Sequence, residues 1–395
     1  MSAVRAVERR GATRRRLRLG MVGGGDGAFI GEVHRIAARM DDLYELVAGC
    51  FSSTPETSRA SAEALRVAPE RAYASFQAMA RRERRLKHGI DVVAIVTPNH
   101  LHHDVAAAFL RAGIHVICDK PLTATLADAK RLVRLVERAG PVFVLTHNYT
   151  GYPMVRHARR LVADAALGKI RIVHVVYPQD WLATPIERTG SKQAEWRTDP
   201  ARSGPSATLA DIGTHALNLA CYVTGLTLES VAADVDTFVL GRPLDDNAHV
   251  LLRFDGGAKG MLWASQVAPG HANSLAIGVY GETGSLRWEQ EEPNFLHVAR
   301  LGEPPRILRR GGPTVGEEAQ RVTRVPAGTP EGYLEGFANI YKDAAELIWA
   351  RIEEREPDPA ATTLPTAADG LAAMRFVHAA LTSGKRNGAW VRATA

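Results

Sequence analysis

The sequence predicts an α/β protein in two parts: a doubly wound domain with a parallel sheet, then a mostly antiparallel sheet with a few helices. Three observations carry this. Between Leu17 and about His147, short apolar runs alternate with helical stretches over short loops, the pattern of parallel strands covered by helices. After about Thr150 the runs lengthen, become β-rich and are punctuated by turn signals such as DGG and GETG. The chain has 395 residues, enough for two or three domains of roughly 150 residues each, and 46% of it is apolar, enough for real cores.

In chain order, LRLGMV, YELVAGCF, VVAIVT, HVICD and VFVLTH read as strands of the first part, near-continuous apolar runs that suit strands buried on both faces. FIGEVHRIAARM, HHDVAAAFLRAG and LADAKRLVRLVERAG read as its helices. The last sets Leu126, Leu132, Val133 and Leu135 among charges and stops at Gly140 before Pro141. In the second part IRIVHVVYP, SVAADVDTFVL, HVLLRFDGG, AKGMLWASQVA and LAIGVYGETGSLRWEQ read as strands. HALNLACYVTG, YLEGFANIYKDAAELIWARIEE and LAAMRFVHAALTSG read as helices, and residues 303–330 as a long loop rich in Gly, Pro and Arg. The expected division is a basic, disordered leader at 1–16, a first domain at 17–148 and a second at 149–391.

Charge and cysteines narrow the class. Residues 1–18 hold seven arginines against one acid, Glu8, which accounts for the whole net charge of +6. The balanced body predicts no nucleic-acid surface. No run approaches the ~18 apolar residues of a membrane helix, and the first residues lack the apolar stretch of a secretory signal. Cys50, Cys118 and Cys221 are widely spaced without a CxxC pair, which fits a reducing cytoplasm and neither a disulfide framework nor a zinc site. His102 and His103 have no partner at metal-ligand spacing, so no metal is expected.

VGGGDGA, residues 22–28, lies between the first strand and the first helix. In the frame GxGxxA, Gly23 permits the tight turn, Gly25 lets a pyrophosphate approach, and Ala28 lets helix and strand pack closely, with Asp26 and Gly27 completing the loop. The free N–H groups at the helix start then meet phosphate. The second strand ends at CFSSTPE, placing Ser52 and Ser53 where sites for NAD usually carry an acid. No carboxylate there repels a 2′-phosphate, and NAD and NADP both stay open.

Asp119, Lys120 and Pro121 follow the HVIC strand, and the end of such a strand lies at the ligand crevice. The proline pushes Lys120 toward an extended conformation, fixing a charged group there. Further on, Asp211 and His215 are four residues apart at a helix entry, with Asn218 beyond. A histidine near neutrality suits the work of a general base, and a nearby carboxylate tunes it.

Taken together, the glycine loop, Thr97–Pro98, Asp119–Lys120–Pro121 and the D-x-G-x-H of Asp211, Gly213 and His215 resemble the Gfo/Idh/MocA oxidoreductases, which include glucose–fructose oxidoreductase and inositol dehydrogenases. The resemblance spans Leu17 to about Val391. Asp119 stands where the family more often has Glu, and Asn218 where several inositol dehydrogenases carry an aspartate. The resemblance implies an N-terminal Rossmann domain and a C-terminal α/β domain with a large, mostly antiparallel open sheet. One face of that sheet would carry the active site and the other a homodimer or homotetramer interface. It implies hydride transfer between NAD or NADP and a secondary alcohol of a sugar, sugar derivative or cyclitol. Lys120 would bond the reacting hydroxyl, His215 would be the base, and Asp211 would orient the substrate or tune the pair. Thr97, Pro98, Asn99, His102, Asp119 and Lys120 would join the glycine loop, Ser52 and Ser53 around the cofactor.

Substrate contacts are expected from THNYTGYP, through His147, Asn148 and Tyr149, and from EWRTDP, through Trp196 and Arg197, with Lys120, Asp211 and His215. YPQDW, Tyr177 to Trp181, adds polar groups suited to a polyol, whose hydroxyls need many partners. Two other functions fit the same residues: an NAD-dependent glycosidase of this fold, which would retain its cofactor through gel filtration, and a dinucleotide-binding regulator, which would not need Lys120, Asp211 and His215.

Overall fold

The computed structural model describes residues 14–394. Its first half forms five parallel strands: β1 (Leu17–Gly23), β2 (Tyr44–Cys50), β3 (Val92–Val96), β4 (His115–Cys118) and β5 (Phe143–Leu145). They lie in the order β2-β1-β3-β4-β5. Every residue of β3 is buried, as its unbroken VVAIV run requires of a strand covered on both faces. The covering helices are α1 (Phe29–Met40), α2 (Pro55–Ala64), α3 (Phe76–Glu83), α4 (His102–Arg111) and α5 (Leu126–Ala139). The strand order reverses between β1 and β3, which opens a crevice at their carboxyl ends, where the glycine loop and Thr97 lie.

The second half begins with α6 (Pro153–Ala163) and β6 (Ile170–Pro178), then α7 (Lys192–Arg197), α8 (Pro200–Ser203) and α9 (Thr214–Thr224). Strands β7 (Leu228–Asp236), β8 (Asn247–Phe254), β9 (Lys259–Ser265), β10 (Ala276–Gly281), β11 (Gly284–Glu289), β12 (Phe295–Arg300) and β13 (Arg306–Arg309) follow. The chain closes with α10 (Glu317–Gln320), α11 (Tyr333–Ile352), α12 (Ala367–Gly384) and β14 (Val391–Arg392). The nine strands lie in the order β13-β12-β11-β10-β6-β9-β8-β7-β14, antiparallel except where β6 runs parallel to β9. One face packs Val173, Val175, Leu262 and Ile277 against α9 and α12. The other exposes Ile172, Leu251, Met261 and Tyr280.

Several elements depart from the sequence reading. Residues 303–330 are not all loop: β13 pairs with β12 at the sheet edge, and α10 follows. An edge strand reading RILR, with two arginines, hides its period. Arg310 is buried just beyond it, bonded to Glu331 at 2.9 Å and Asn294 at 2.7 Å, and this pins the segment. α2 buries only Ser58, Ser61 and Ala62, so it shows no apolar stripe. α6 buries Arg156, whose guanidinium pairs with Asp343 at 2.7 Å. α11, placed in the second domain by a linear division, lies against the first sheet, packing Phe337, Tyr341 and Ile348 with Leu17, Met21 and Val33. Of the residues read as a leader, Arg14, Arg15 and Arg16 are held by Glu353, Asp91 and Asp42, each at 2.6 Å. Residues 1–13 lie outside the described residues. Among the described residues no helix is long and apolar enough to cross a membrane, and no cluster of His, Cys, Asp and Glu has the makings of a metal site.

Candidate active site

A cavity of about 1060 Å³ runs from the end of β2, past the glycine loop, to the face of α9 and the ends of β6 and β11. It exceeds the roughly 300–1,000 Å³ of most small-molecule sites, leaving room for a dinucleotide and a further ligand. Gly23, Gly25, Asp26, Ala28, Ser52, Ser53, Thr97, Pro98, Asn99, Asp119 and Lys120 all line it, as do Tyr149, Trp196, Arg197, Asp211 and His215.

Four expected contacts lie elsewhere, among them Asn148, which is buried outside the cavity wall. Gly27 has φ +73 and turns away from the wall. His102 is fully buried, its ring nitrogens 2.8 Å from the Pro121 carbonyl oxygen and 2.9 Å from that of Thr97. It braces the two loops that carry Thr97 and Lys120. His147 is buried behind His215.

The glycine end fits a dinucleotide. Gly23 has φ +80, and a Cβ there would stand 2.6 Å from the Val96 carbonyl oxygen. A Cβ on Gly25 would stand 2.8 Å from both the Phe51 carbonyl oxygen and Ser61 Oγ. The close approach of helix to loop, expected at Ala28, falls instead at Gly31 against Gly24. No side chain caps α1, so its first N–H groups remain for a ligand. Thr97 Oγ1 is buried in the wall without a partner among the described residues. Gly25→Val is expected to weaken dinucleotide binding about a hundredfold by calorimetry while leaving the far-UV spectrum unchanged.

At the other end, Lys120 Nζ donates to Asp211 Oδ1 at 2.7 Å and to the Asp211 carbonyl oxygen at 2.8 Å. Asp211 sits in a wide π-helical turn, Leu209–Gly213, that leads into α9. Burial alone would raise its pKa. The charges of Lys120 and Arg197 and the hydrogen bonds from Lys120 and Gln266 outweigh burial and hold the carboxyl well below the usual range. Asp119 is likewise opposed by burial, yet His34, Lys120 and Thr146 bring it down to about 2. Asp211 was expected to tune His215, but its carboxylate is engaged by Lys120, Arg197 and Gln266. His215 Nδ1 instead faces His147 Nδ1 at 3.4 Å. Burial first, then Lys120, lowers the pKa of both rings, His147 to about 3 and His215 well below its ordinary value.

A chain of polar groups closes this end. Gln266 Nε2 donates to Asp211 Oδ2 at 2.9 Å and to Gln179 Oε1 at 3.2 Å. Gln179 Nε2 and Tyr177 O–H both donate to Asn273 Oδ1, at 2.7 and 2.8 Å. The Tyr149 and Tyr177 hydroxyls bond each other. Burial pushes Tyr149 up to about 12, so its phenol stays a donor. Arg197 stacks on Trp196 with 4.3 Å from guanidinium to ring centre. Of this chain, Gln266 and Asn273 were missed by the sequence reading. Gln266 lies one residue past the end of β9 and Asn273 three before the start of β10, and placement at strand ends was the available signal.

Two family models match the chain: the oxidoreductase family with an NAD-binding Rossmann fold over residues 17–147, and the GFO/IDH/MocA C-terminal domain over residues 155–287. The solved structure of an oxidoreductase from Sinorhizobium meliloti is 54% identical with a TM-score of 0.87, over 96% of this chain and 100% of that one. An inositol dehydrogenase homolog from Azotobacter vinelandii, complexed with NAD+, is 35% identical with a TM-score of 0.91, over 96% and 97%. The chain belongs to the Gfo/Idh/MocA family. Also similar to it is the levoglucosan dehydrogenase of Pseudarthrobacter phenanthrenivorans, 29% identical over 76% of this chain and 80% of that one. As a Gfo/Idh/MocA oxidoreductase, this protein has the NAD(P)-binding Rossmann domain of that family, followed by the family's C-terminal domain.

Proposed function

We propose that the protein transfers a hydride between a secondary alcohol of a sugar, sugar derivative or cyclitol and NAD or NADP. The observation that carries this is the meeting of Lys120, Asp211 and His215 in one cavity wall, where the glycine-loop end gives way to a ring of amide and phenol groups. Two related proteins support the substrate class: the Azotobacter homolog complexed with NADH and myo-inositol, and levoglucosan dehydrogenase complexed with NADH and levoglucosan.

A bound nicotinamide supplies the hydride acceptor. The chain supplies the rest. An ammonium has three hydrogens, and Asp211 takes two bonds from Lys120, which leaves the third for the substrate oxygen. Asp211 holds Lys120 aimed. His215 accepts the hydroxyl proton. Gln179, Asn273, Tyr149 and Tyr177 bind the remaining hydroxyls. A substrate lacking one of those hydroxyls leaves a buried donor unpaired, which is costly. At the adenosine end, Ser52 and Ser53 line the cavity and Glu56 pairs with Arg59 outside it, so nothing anionic at the end of β2 excludes a 2′-phosphate.

The test incubates purified protein with NAD or NADP and a panel of aldoses, anhydrosugars, glycosides and inositols, reading the absorbance of reduced nicotinamide. Turnover of one compound is expected. Dinucleotide binding without turnover of any compound would overturn the reading.

We further propose that the exposed face of the large sheet, with Ile172, Leu251, Met261 and Tyr280, meets a second copy of the chain. The double variant Leu251→Lys/Met261→Lys is expected to run as a smaller species in gel filtration with light scattering. An unchanged mass would place the contact elsewhere.

A further inference from the structure

Two buried imidazoles meet edge to face at the base of the site. The ring centres of His147 and His215 are 5.2 Å apart with an interplanar angle of 83°, and the two Nδ1 atoms are 3.4 Å apart. Neither ring lies within hydrogen-bond reach of a carboxylate among the described residues. Burial lowers the pKa of both rings, and the 3.4 Å contact is a hydrogen bond when one neutral ring carries its hydrogen on Nδ1 and the other accepts it there. Which one donates decides what His215 offers to the cavity. With its hydrogen on Nδ1, His215 presents a bare Nε2 and can take a proton. With its hydrogen on Nε2, it cannot.

The surrounding charges select between these states. Lys120 lines the cavity beside His215, and its positive charge favours a lone pair over an N–H on the cavity-facing nitrogen. His147 lies deeper, with Nε2 buried without a partner, and it feels Lys120 first and Asp119, with the opposite sign, second. The charge of Lys120 at the cavity side of His215 thus has His215 donate and His147 accept. The two tyrosines packed on His215, Tyr149 at 4.9 Å and Tyr177 at 6.3 Å between ring centres, bond each other and do not compete for Nδ1.

We propose that His147 is a positioning residue that accepts the Nδ1 hydrogen of His215 and so keeps His215 Nε2 bare toward the substrate. In the proposed oxidation the hydroxyl proton then goes to Nε2, and the resulting imidazolium keeps its Nδ1–H bond to His147. This assignment rests on the reading of His215 as the proton acceptor.

The test has two arms. His147→Phe keeps an aromatic ring and deletes the acceptor, whereas His147→Asn places an amide oxygen near the position of Nδ1. Expected is a fall in kcat of about tenfold to a hundredfold for the Phe variant, with KM for the dinucleotide unchanged and most of the rate restored in the Asn variant. A packing role predicts the reverse order, because Phe fills a buried site better than Asn, and that order would overturn the proposal. The second arm needs neither a substrate nor a stable variant. Nitrogen-15 NMR of histidine-labelled full-length protein reports which ring nitrogen of His215 is protonated. Hydrogen on Nδ1 is expected, and hydrogen on Nε2 would sink the assignment even if the sugar panel had already given turnover. Failure of the panel alone would leave the tautomer result standing.

Discussion

Lys120→Met is expected to lower kcat/KM by about three to four orders of magnitude on whichever substrate the panel identifies, because it removes the ammonium that Asp211 aims at the reacting oxygen. Lys120 is held at the end of β4 by the turn into Pro121, and its charge is directed by two bonds to Asp211. Methionine fills similar volume and carries no donor. The loss should fall mainly on kcat, since the glycine loop that grips the dinucleotide lies at the other end of the cavity. The same variant leaves Asp211 buried with only Gln266 and Arg197 for partners. Breaking a buried pair from one side costs about 3–5 kcal/mol when no solvent reaches it, and less here because both side chains touch the cavity. A lower melting temperature is therefore expected. The double variant Lys120→Met/Asp211→Asn is expected to regain much of the melting temperature and none of the turnover. Kinetics and thermal melts on the same three proteins separate the two effects. A single variant retaining a tenth of the activity would remove Lys120 from the chemistry.

The first half was legible because its strands are buried on both faces, and a run such as VVAIV has one structural solution beside a glycine loop. The second half was legible where one face is buried, as in β8, whose residues alternate between buried and exposed over most of its length. It was not legible where charge replaces apolar burial. Arg156 and Arg310 are buried through ion pairs with Asp343 and Glu331, and no periodicity announces them. The site divides in the same way. Lys120, Asp211 and His215 were visible as residue types at telling places, but their pairing was not. Helical spacing suggested that Asp211 serves His215, whereas the π-helical turn and a chain crossing from residue 120 hand Asp211 to Lys120. His147 was read as a substrate contact because it follows the last strand of the first sheet. Which side of His215 it occupies is set by packing between the two halves, and no local signal encodes that.

Those packed histidines give the protein a weakness in acid. His115 accepts a hydrogen bond from the Val142 N–H at 2.8 Å, and burial lowers its pKa from 6.5 to about 4. His147 is lowered by burial and Lys120 to about 3, and His215 also falls well below 6.5. Each ring binds a proton in the unfolded chain before it does so in the folded one. Stability is therefore complete above about pH 6.5 and is lost as the pH falls toward the folded values, at up to about 1.4 kcal/mol per pH unit for each ring. His102 adds to this, because burial outweighs Asp119 and the two carbonyl oxygens on its nitrogens and lowers its pKa as well. Asp119, lowered from 3.8 to about 2, adds its loss only below pH 4. The melting temperature should thus fall steadily between pH 6.5 and pH 4.5, before the carboxylates titrate. His115→Asn keeps an acceptor for the Val142 N–H and cannot charge, so it is expected to flatten the slope. It should do so without touching turnover, since His115 lies outside the cavity wall. A melting temperature that stays level from pH 7 to pH 5 would mean that water or a counter-charge reaches these rings, and the neutral pair at the base of the site would lose its footing with it.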